Sequence, residues 1–311
     1  MRSSYFYIML SVTHLQFNYS KTPVLDGINF SLKPGENLAI IGESGSGKST
    51  LLKLIYGEYD LAQGKIFWKE QQILGPKYNL VIGYDFMKYV SQEFDLMPFI
   101  SVEDNIGKFL SRFYPEEKQK RTTELIKVVE LEDFAKTKVK NLSGGQKQRV
   151  ALARALAKQP EIILLDEPFS HIDNFKKQSL RRSVFSYLKE KNIACIVATH
   201  DKNDVLGFAD KMLVLHQKKI IANDTPQNLY NNPELPLIAS FFGEFNVING
   251  KVYYAHQLKI VEKSDLKGIV KANYFNGDYW LVQVGQNSNT IFINHSTPIE
   301  PETQIFFSFQ K

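Results

Sequence analysis

Three short stretches carry residue types whose spacing suits phosphate chemistry. In "NLAIIGESGSGKSTLLKLIYG" (37–57), an apolar run ends in Gly42, four residues separate it from Gly47, and Lys48-Ser49-Thr50 follow. Glycines at 42, 45 and 47, with Ser44 among them, let successive backbone N–H groups wrap an anion. Lys48 then places a cation on the β- and γ-phosphates, the Ser49 hydroxyl is a ligand for Mg²⁺, and Thr50 serves the α-phosphate. In "EIILLDEPFS" (161–170), two adjacent carboxylates follow four apolar residues. Asp166 is assigned to Mg²⁺ and Glu167 to orienting and deprotonating an attacking water. A third stretch, "NIACIVATHD" (192–201), ends an apolar run in His200, which is expected to contact a γ-phosphate.

These side chains need an open α/β sheet to hold them. Each motif reads as a buried strand with its polar residues just past the carboxyl end, where such sheets bind ligands. After the phosphate loop, Leu51, Leu52, Leu54 and Ile55 recur at helical spacing, and Gly57 is the expected C-cap.

The stretch "LSGGQKQRVALARAL" (142–156) raises a separate question. Ser143 is a good N-cap, and Gly144 and Gly145 allow a ligand to approach the backbone. Lys147 and Arg149 in the first turns oppose the helix dipole, which points to an anion at this helix start.

Phosphate loop, Ser-Gly-Gly-Gln helix start, acidic pair and histidine occur in one order, and over residues 9 to about 243 the chain resembles the ATP-binding cassette ATPases. "LSGGQ" (Leu142, Ser143, Gly144, Gly145, Gln146) is similar to that family's signature. The resemblance implies further roles: Tyr19 stacking on adenine, Gln92 sensing Mg²⁺ and the γ-phosphate, and Asp173 bridging subunits. It also implies a head-to-tail homodimer in which Ser143 and Gly145 bind the γ-phosphate of ATP held by the other subunit, so the anion missing at the helix start comes from the partner. ATP and Mg²⁺ are the implied substrate and cofactor.

Residues 93–141 read as helical, with "VEDNIGKFLSRF" and "PEEKQKRTTELIKVVELEDFA" carrying apolar residues at helical spacing. The resemblance makes this a helical subdomain that grips an integral-membrane permease subunit, whose cytoplasmic helix docks beside the Gln92 loop; Phe94, Leu96, Met97 and Phe99 are candidates to line that groove.

From about residue 246 the pattern turns to short strands, and Asn276-Gly277 between aromatic runs is a type I′ hairpin signal. Residues 246–311 are expected to form a small all-β domain of the oligonucleotide-binding type. Such a tail is similar to the accessory barrel (TOBE-like) of importer ATPases that serve metal, polyamine, sugar or oxyanion uptake. A non-transporter cassette ATPase of the repair or chromosome type would be split by long coiled coils, and no sustained heptad run is present. A nucleic-acid-dependent ATPase would use Tyr274, Phe275 and Trp280 to stack bases, but the tail carries no basic stripe, so no nucleic-acid partner is expected.

Composition agrees with a globular chain of 311 residues with net charge +5. The longest apolar runs fall short of the ~18 to 20 residues that span a bilayer. The opening "MRSSYFYIML" lacks a small-residue cleavage site and is not read as a signal peptide, and Met9 is an alternative start. The single cysteine, Cys195, fits a packing role. The expected location is the cytoplasmic face of the membrane, bound peripherally, with a permease and an extracytoplasmic substrate-binding protein as partners.

Overall fold

The computed structural model describes residues 9–287 and 289–310, which divide into two compact units at Pro226/Gln227. The opening segment, including the choice between Met1 and Met9, lies mostly outside the described residues.

In the first unit, strands β1 (Leu10–Asn18) and β2 (Pro23–Leu32) form an antiparallel pair. Strand β3 (Asn37–Ile41) is buried along its whole length and leads through the phosphate loop into helix α1 (Lys48–Tyr56). Strands β4 (Gln63–Trp68) and β5 (Gln71–Gln72) extend the first sheet to the order β2-β1-β4-β5. Strand β6 (Met87–Val90) returns to the central sheet and is followed by helices α2 (Val102–Ile106), α3 (Pro115–Val128) and α4 (Gly144–Leu156). Strand β7 (Ile162–Asp166), helix α5 (Asn174–Glu190), strand β8 (Ala194–Ala198), helix α6 (Lys202–Leu206) and strands β9 (Lys211–His216) and β10 (Lys219–Asp224) complete the unit.

The central sheet runs β10-β9-β3-β8-β7-β6. All pairings except β10 with β9 are parallel, which explains the continuous apolar runs of β3, β7 and β8: helices or a second sheet cover both faces. The register places Ile40 beside Ala198 and Ala198 beside Asp166. The polar residues that follow these strands therefore gather at one carboxyl edge. Cys195 is buried within β8 and packs, as its apolar neighbours suggest.

The helical segment is more broken than its periodicity implies. The first helix stops at Ile106, a single 3-10 turn covers Gly107–Phe109, and Ser111–Phe113 are not helical. Leu110 is extended, which ends the helical run before "SRF".

The second unit contains helices α7 (Pro226–Asn231) and α8 (Pro236–Phe242), the hairpin β11 (Phe245–Ile248) and β12 (Lys251–Tyr254), and then β13 (Leu258–Val261), β14 (Lys267–Phe275), β15 (Trp280–Gln286), β16 (Asn289–His295) and β17 (Gln304–Phe309). The last five form an antiparallel sheet of order β13-β17-β14-β15-β16 around Val270, Val282, Val284, Ile293 and Phe307. Its edge strands β13 and β16 touch without pairing, so the sheet curls toward a barrel.

A hairpin does turn at Asn276-Gly277, joining β14 to β15, but not through a two-residue type I′ turn. Phe275 pairs with Trp280, leaving a four-residue loop closed by Asn276 N–H donating to the Tyr279 carbonyl at 2.9 Å, with only Gly277 left-handed. The two-residue turn is instead Asn249-Gly250, where both residues have positive φ (52° and 76°) and Ile248 pairs with Lys251.

Candidate functional site

Four segments at the carboxyl edge of the central sheet, together with the segment between β1 and β2, line one cavity of about 800 Å³. Tyr19, Gly42, Ser44, Gly45, Gly47, Lys48, Ser49, Thr50, Gln92, Asp166, Glu167 and His200 all line it. Small-molecule and cofactor pockets fall in this range.

The phosphate loop is shaped by close approach. A Cβ on residue 42 would lie 2.2 Å from the Leu215 carbonyl oxygen, so no larger residue fits. Gly47, at φ 102°, opens α1 with no side-chain cap and no acidic residue in the first turn, which leaves the N–H groups of the helix start facing the loop. Lys48 Nζ donates to the Gly42 and Glu43 carbonyls at 2.8 and 3.0 Å. Burial lowers its pKa from the usual lysine range, opposed by the charges of Glu167 and Asp166. Tyr19 shares a hydrogen bond of 3.1 Å with the Thr50 hydroxyl, and its ring meets Phe17 and Tyr59 edge-on.

Asp166 ends β7, buried, and accepts a hydrogen bond from the Tyr89 hydroxyl at 3.1 Å. Burial, and then the Asp166 charge, push the Tyr89 phenol far above its usual pKa, so it stays protonated and donates. Glu167 sits at φ 52°, a costly conformation for a residue with a Cβ, and its N–H donates to the Ala198 carbonyl at 2.9 Å. Its side chain is 11% exposed, whereas the His200 side chain is 73% exposed. His200 Nδ1 lies 2.8 Å from Glu167 Oε1. The histidine thus touches the carboxylate directly and still lines the cavity.

Behind His200, the chain is fastened by a buried ionic network. The Thr199 hydroxyl donates to Asp204 Oδ2 at 2.5 Å, Arg181 Nε donates to Asp204 Oδ1 at 2.5 Å, and Arg181 also pairs with Asp201. Arg181 is 1% exposed on its side chain and lies over the Phe169 ring.

The Ser-Gly-Gly-Gln helix start lies outside this cavity. Ser143 N-caps α4 in a capping box: its hydroxyl accepts from Gln146 N–H at 3.3 Å, and Gln146 Oε1 accepts from Ser143 N–H at 2.8 Å. Arg149 corrects one step of the sequence argument. It does not face an anion at the helix start; it is buried and donates to the Val129 and Glu130 carbonyls at the end of α3. Asp173 caps α5, accepting from Lys176 N–H at 3.1 Å.

Tyr89, Gln148, Ser170 and His171 were missed by sequence reasoning. Ser170 and His171 line the cavity, and Gln148 is buried against their turn. Only the adjacency of 170–171 to the acidic pair was a visible signal.

A second cavity of about 370 Å³ adjoins the Gln92 segment, walled by Ser91, Glu93 and Phe94 and by Phe109, Lys88, Arg154 and Lys158. Burial lowers the pKa of both Lys88 and Arg154. Phe94 and Asp95 line this groove; Leu96, Met97 and Phe99 do not, and Phe99 is exposed with Lys140 over its ring.

Among the described residues no cluster of three or more His, Cys, Asp or Glu could cage a metal. The hydroxyl of Ser49, the amide oxygen of Gln92 and the carboxylate of Asp166 are hard oxygen donors around one cavity. That set suits Mg²⁺, which is held by few protein ligands together with phosphate oxygens and water.

The family described as "ABC transporter" matches residues 25–170. An Fe(3+) ions import ATP-binding protein of Haemophilus influenzae is 39% identical over 242 residues, covering 77% of this chain and 68% of that protein. A spermidine/putrescine import ATP-binding protein of Clostridioides difficile is 28% identical over an alignment of 331 residues, covering 96% of this chain and 94% of the other. Among solved structures, a dimeric ATP-binding cassette in a post-hydrolysis state bound to ADP and Pi has a TM-score of 0.61 at 29% identity, over 70% of this chain and 98% of that one. A Clostridium perfringens protein that is part of an ABC transporter complex has a TM-score of 0.65 at 29% identity, over 73% and 92%.

Proposed function

The chain belongs to the ABC transporter ATPases, and from that premise we propose how its residues perform the work of an ATP-hydrolysing import subunit. The subunit hydrolyses ATP with Mg²⁺, acts as a dimer and serves a permease supplied by a substrate-binding protein. Residues 9–243 are read as the nucleotide-binding domain and 246–311 as the accessory β domain, although residues 227–243, α8 among them, fall in the second compact unit.

The phosphates of ATP lie on the loop of Gly42, Ser44, Gly45 and Gly47, with Lys48 on the β- and γ-phosphates and Thr50 near the α-phosphate. Tyr19 stacks on the base. Ser49, Gln92 and Asp166 hold Mg²⁺, which supplies positive charge against the phosphate oxygens. Glu167 accepts a proton from the attacking water as a new bond forms to the γ-phosphorus and the bond to the β–γ bridging oxygen breaks. His200 orients that carboxylate from one side and reaches the γ-phosphate from the other. Ser143 and Gly145 of the partner subunit complete the site, with Asp173 at the subunit junction, and loss of the γ-phosphate lets the dimer open.

The groove beside Gln92 carries the coupling to transport. Ser91, Glu93 and Phe94 wall it while Gln92 lines the nucleotide cavity, so one stretch of chain faces both. A cytoplasmic helix of the permease fills the groove. No helix among the described residues is long and apolar enough to cross a membrane. We place the protein peripherally on the cytoplasmic face, held there by that helix. The two import relatives are named for Fe(3+) and for spermidine/putrescine, both cations, and a cationic cargo is the reading they favour.

The observation that carries the catalytic assignment is the Glu167–His200 contact of 2.8 Å at a cavity also lined by Lys48 and Asp166. Glu167→Gln is expected to bind ATP and to stop hydrolysing it. On size-exclusion chromatography with light scattering, that variant should shift from monomer to dimer when Mg·ATP is added. Near-normal turnover would overturn the assignment of the base, and a monomer with ATP bound would overturn the signature acting in trans.

A further inference from the structure

Helix α4 does more than carry the Ser143 cap. Gly145 and Gln148 stand three residues apart, on one face of the helix, and both meet the same turn. A Cβ on residue 145 would lie 2.7 Å from the His171 carbonyl oxygen and 3.3 Å from Ile172 Cα, so the helix start is pressed against backbone. One turn further on, Gln148 is 1% exposed and spends its whole carboxamide on this turn. Its Nε2 donates to the Glu167 carbonyl at 2.9 Å and approaches the Ser170 hydroxyl at 3.5 Å, and its Oε1 accepts from the His171 N–H at 3.2 Å. The Glu167 carbonyl also accepts from the Ser170 hydroxyl at 3.0 Å and from the Ser170 N–H at 3.2 Å.

Glu167 is the residue that most needs such a clamp. Its φ of 52° is held against an intrinsic preference, and that conformation aims the carboxylate into the cavity beside His200. Surrounding structure must over-determine a strained residue, and Gln148 donates to the carbonyl of that very residue.

We propose that Gln148 is a positioning residue for Glu167, fastening the signature helix to the turn that carries the catalytic carboxylate of the same subunit. The proposal rests on Glu167 as the base and on the signature acting in trans. Ser143 and Gly145 engage ATP bound to the other subunit, while Gln148 on the same helix sets Glu167 at the subunit's own ATP. Seating of the helix at one site and alignment of the base at the other become a single event, so the two ATP sites of the dimer are coupled through α4. The coupling needs no long path: Gly145 and Gln148 lie within one turn of helix.

The test uses the full chain with Gln148→Met, which keeps side-chain length and removes both hydrogen-bonding atoms. The expected result is a kcat lowered about tenfold or more, as a displaced catalytic group gives, with ATP affinity changed less than about threefold. Glu167→Gln/Gln148→Met should still dimerise with Mg·ATP, since the helix start is intact. Ser170→Ala removes one of the donors to the Glu167 carbonyl without disturbing the buried core, and should lower kcat about threefold at unchanged affinity. If Glu167→Gln is inactive but Gln148→Met turns over within twofold of the parent protein, the proposal fails and the base assignment stands. If Glu167→Gln itself turns over, the premise fails and takes the proposal with it. A fall in kcat, ATP affinity and melting temperature together marks Gln148 as a structural residue and also overturns the proposal. Should Gln148→Met not fold, an unchanged kcat in Ser170→Ala overturns it.

Discussion

Replacing Arg181 by Met tests whether the chain around His200 is held by a buried charge. Asp204 is 2% exposed, and its carboxylate meets the Arg181 guanidinium and the Thr199 hydroxyl. Methionine has a comparable volume and can pack over Phe169, so the transfer of apolar area changes little. What changes is that a buried carboxylate loses its counter-charge, at a cost of about 3 to 5 kcal/mol. For a unit of this size, each kcal/mol moves the melting temperature by about 2 to 4 °C, so a drop of roughly 6 to 20 °C is expected. The protein has two tryptophans, Trp68 in the first unit and Trp280 in the second, so a Trp280→Phe background lets fluorescence report the first unit alone.

The loss should also depend on pH. Burial already raises the Asp204 pKa above its ordinary value, with Thr199 and Arg181 opposing. Without Arg181 it rises further, and a carboxyl whose folded pKa exceeds its unfolded value favours the fold below the unfolded pKa and loses that contribution as pH rises through the folded one. The deficit of Arg181→Met should therefore be larger at pH 8 than at pH 5. The double variant Arg181→Met/Asp204→Leu removes both charges and should recover most of the loss. A single-variant cost under about 1 kcal/mol, or a deficit that does not shrink on acidification, would refute the buried-charge argument.

Two further outcomes are expected. Lys48→Ala should lose nucleotide affinity, read by equilibrium binding of a fluorescent ATP analogue, because the loop keeps its N–H groups but loses the cation; unchanged binding would count against the phosphate-loop reading. His256 stacks beside Tyr230 and Tyr254, and burial lowers its pKa. Its folded pKa lies below the unfolded value of about 6.5, so stability present above that pH is lost as pH falls below it. Thermal melts followed by Trp280 fluorescence should show this decline between pH 7 and 5.5, and His256→Phe should flatten it.

Much of the site was legible because its motifs are local. Gly42 to Thr50 form a continuous strand, loop and helix, and the apolar runs before Asp166 and His200 identify the buried parallel strands by composition alone. Strand order brings these segments to one edge, and a parallel sheet exposes its ligands at the carboxyl ends whatever the loops between. The Ser143 cap was likewise legible, since a capping box spans only four residues.

What the sequence could not decide are contacts between segments far apart in the chain. Arg149 was read as charge at a helix start, yet it serves the end of α3, because only packing determines which way a helical side chain points. The hairpin at Asn276-Gly277 forms, but the pairing of Phe275 with Trp280 makes its loop four residues long in place of a two-residue type I′ turn. Tyr89 against Asp166, Arg181 against Asp204, and Gln148 against Glu167 join residues 77, 23 and 19 positions apart. The sequence by itself determined which residues are proposed to bind phosphate and activate water, because backbone-wrapping glycines and strand-end carboxylates are encoded locally. Only the tertiary structure decided what holds them in place, because a hydrogen bond across segments exists only after the sheet and helices have packed.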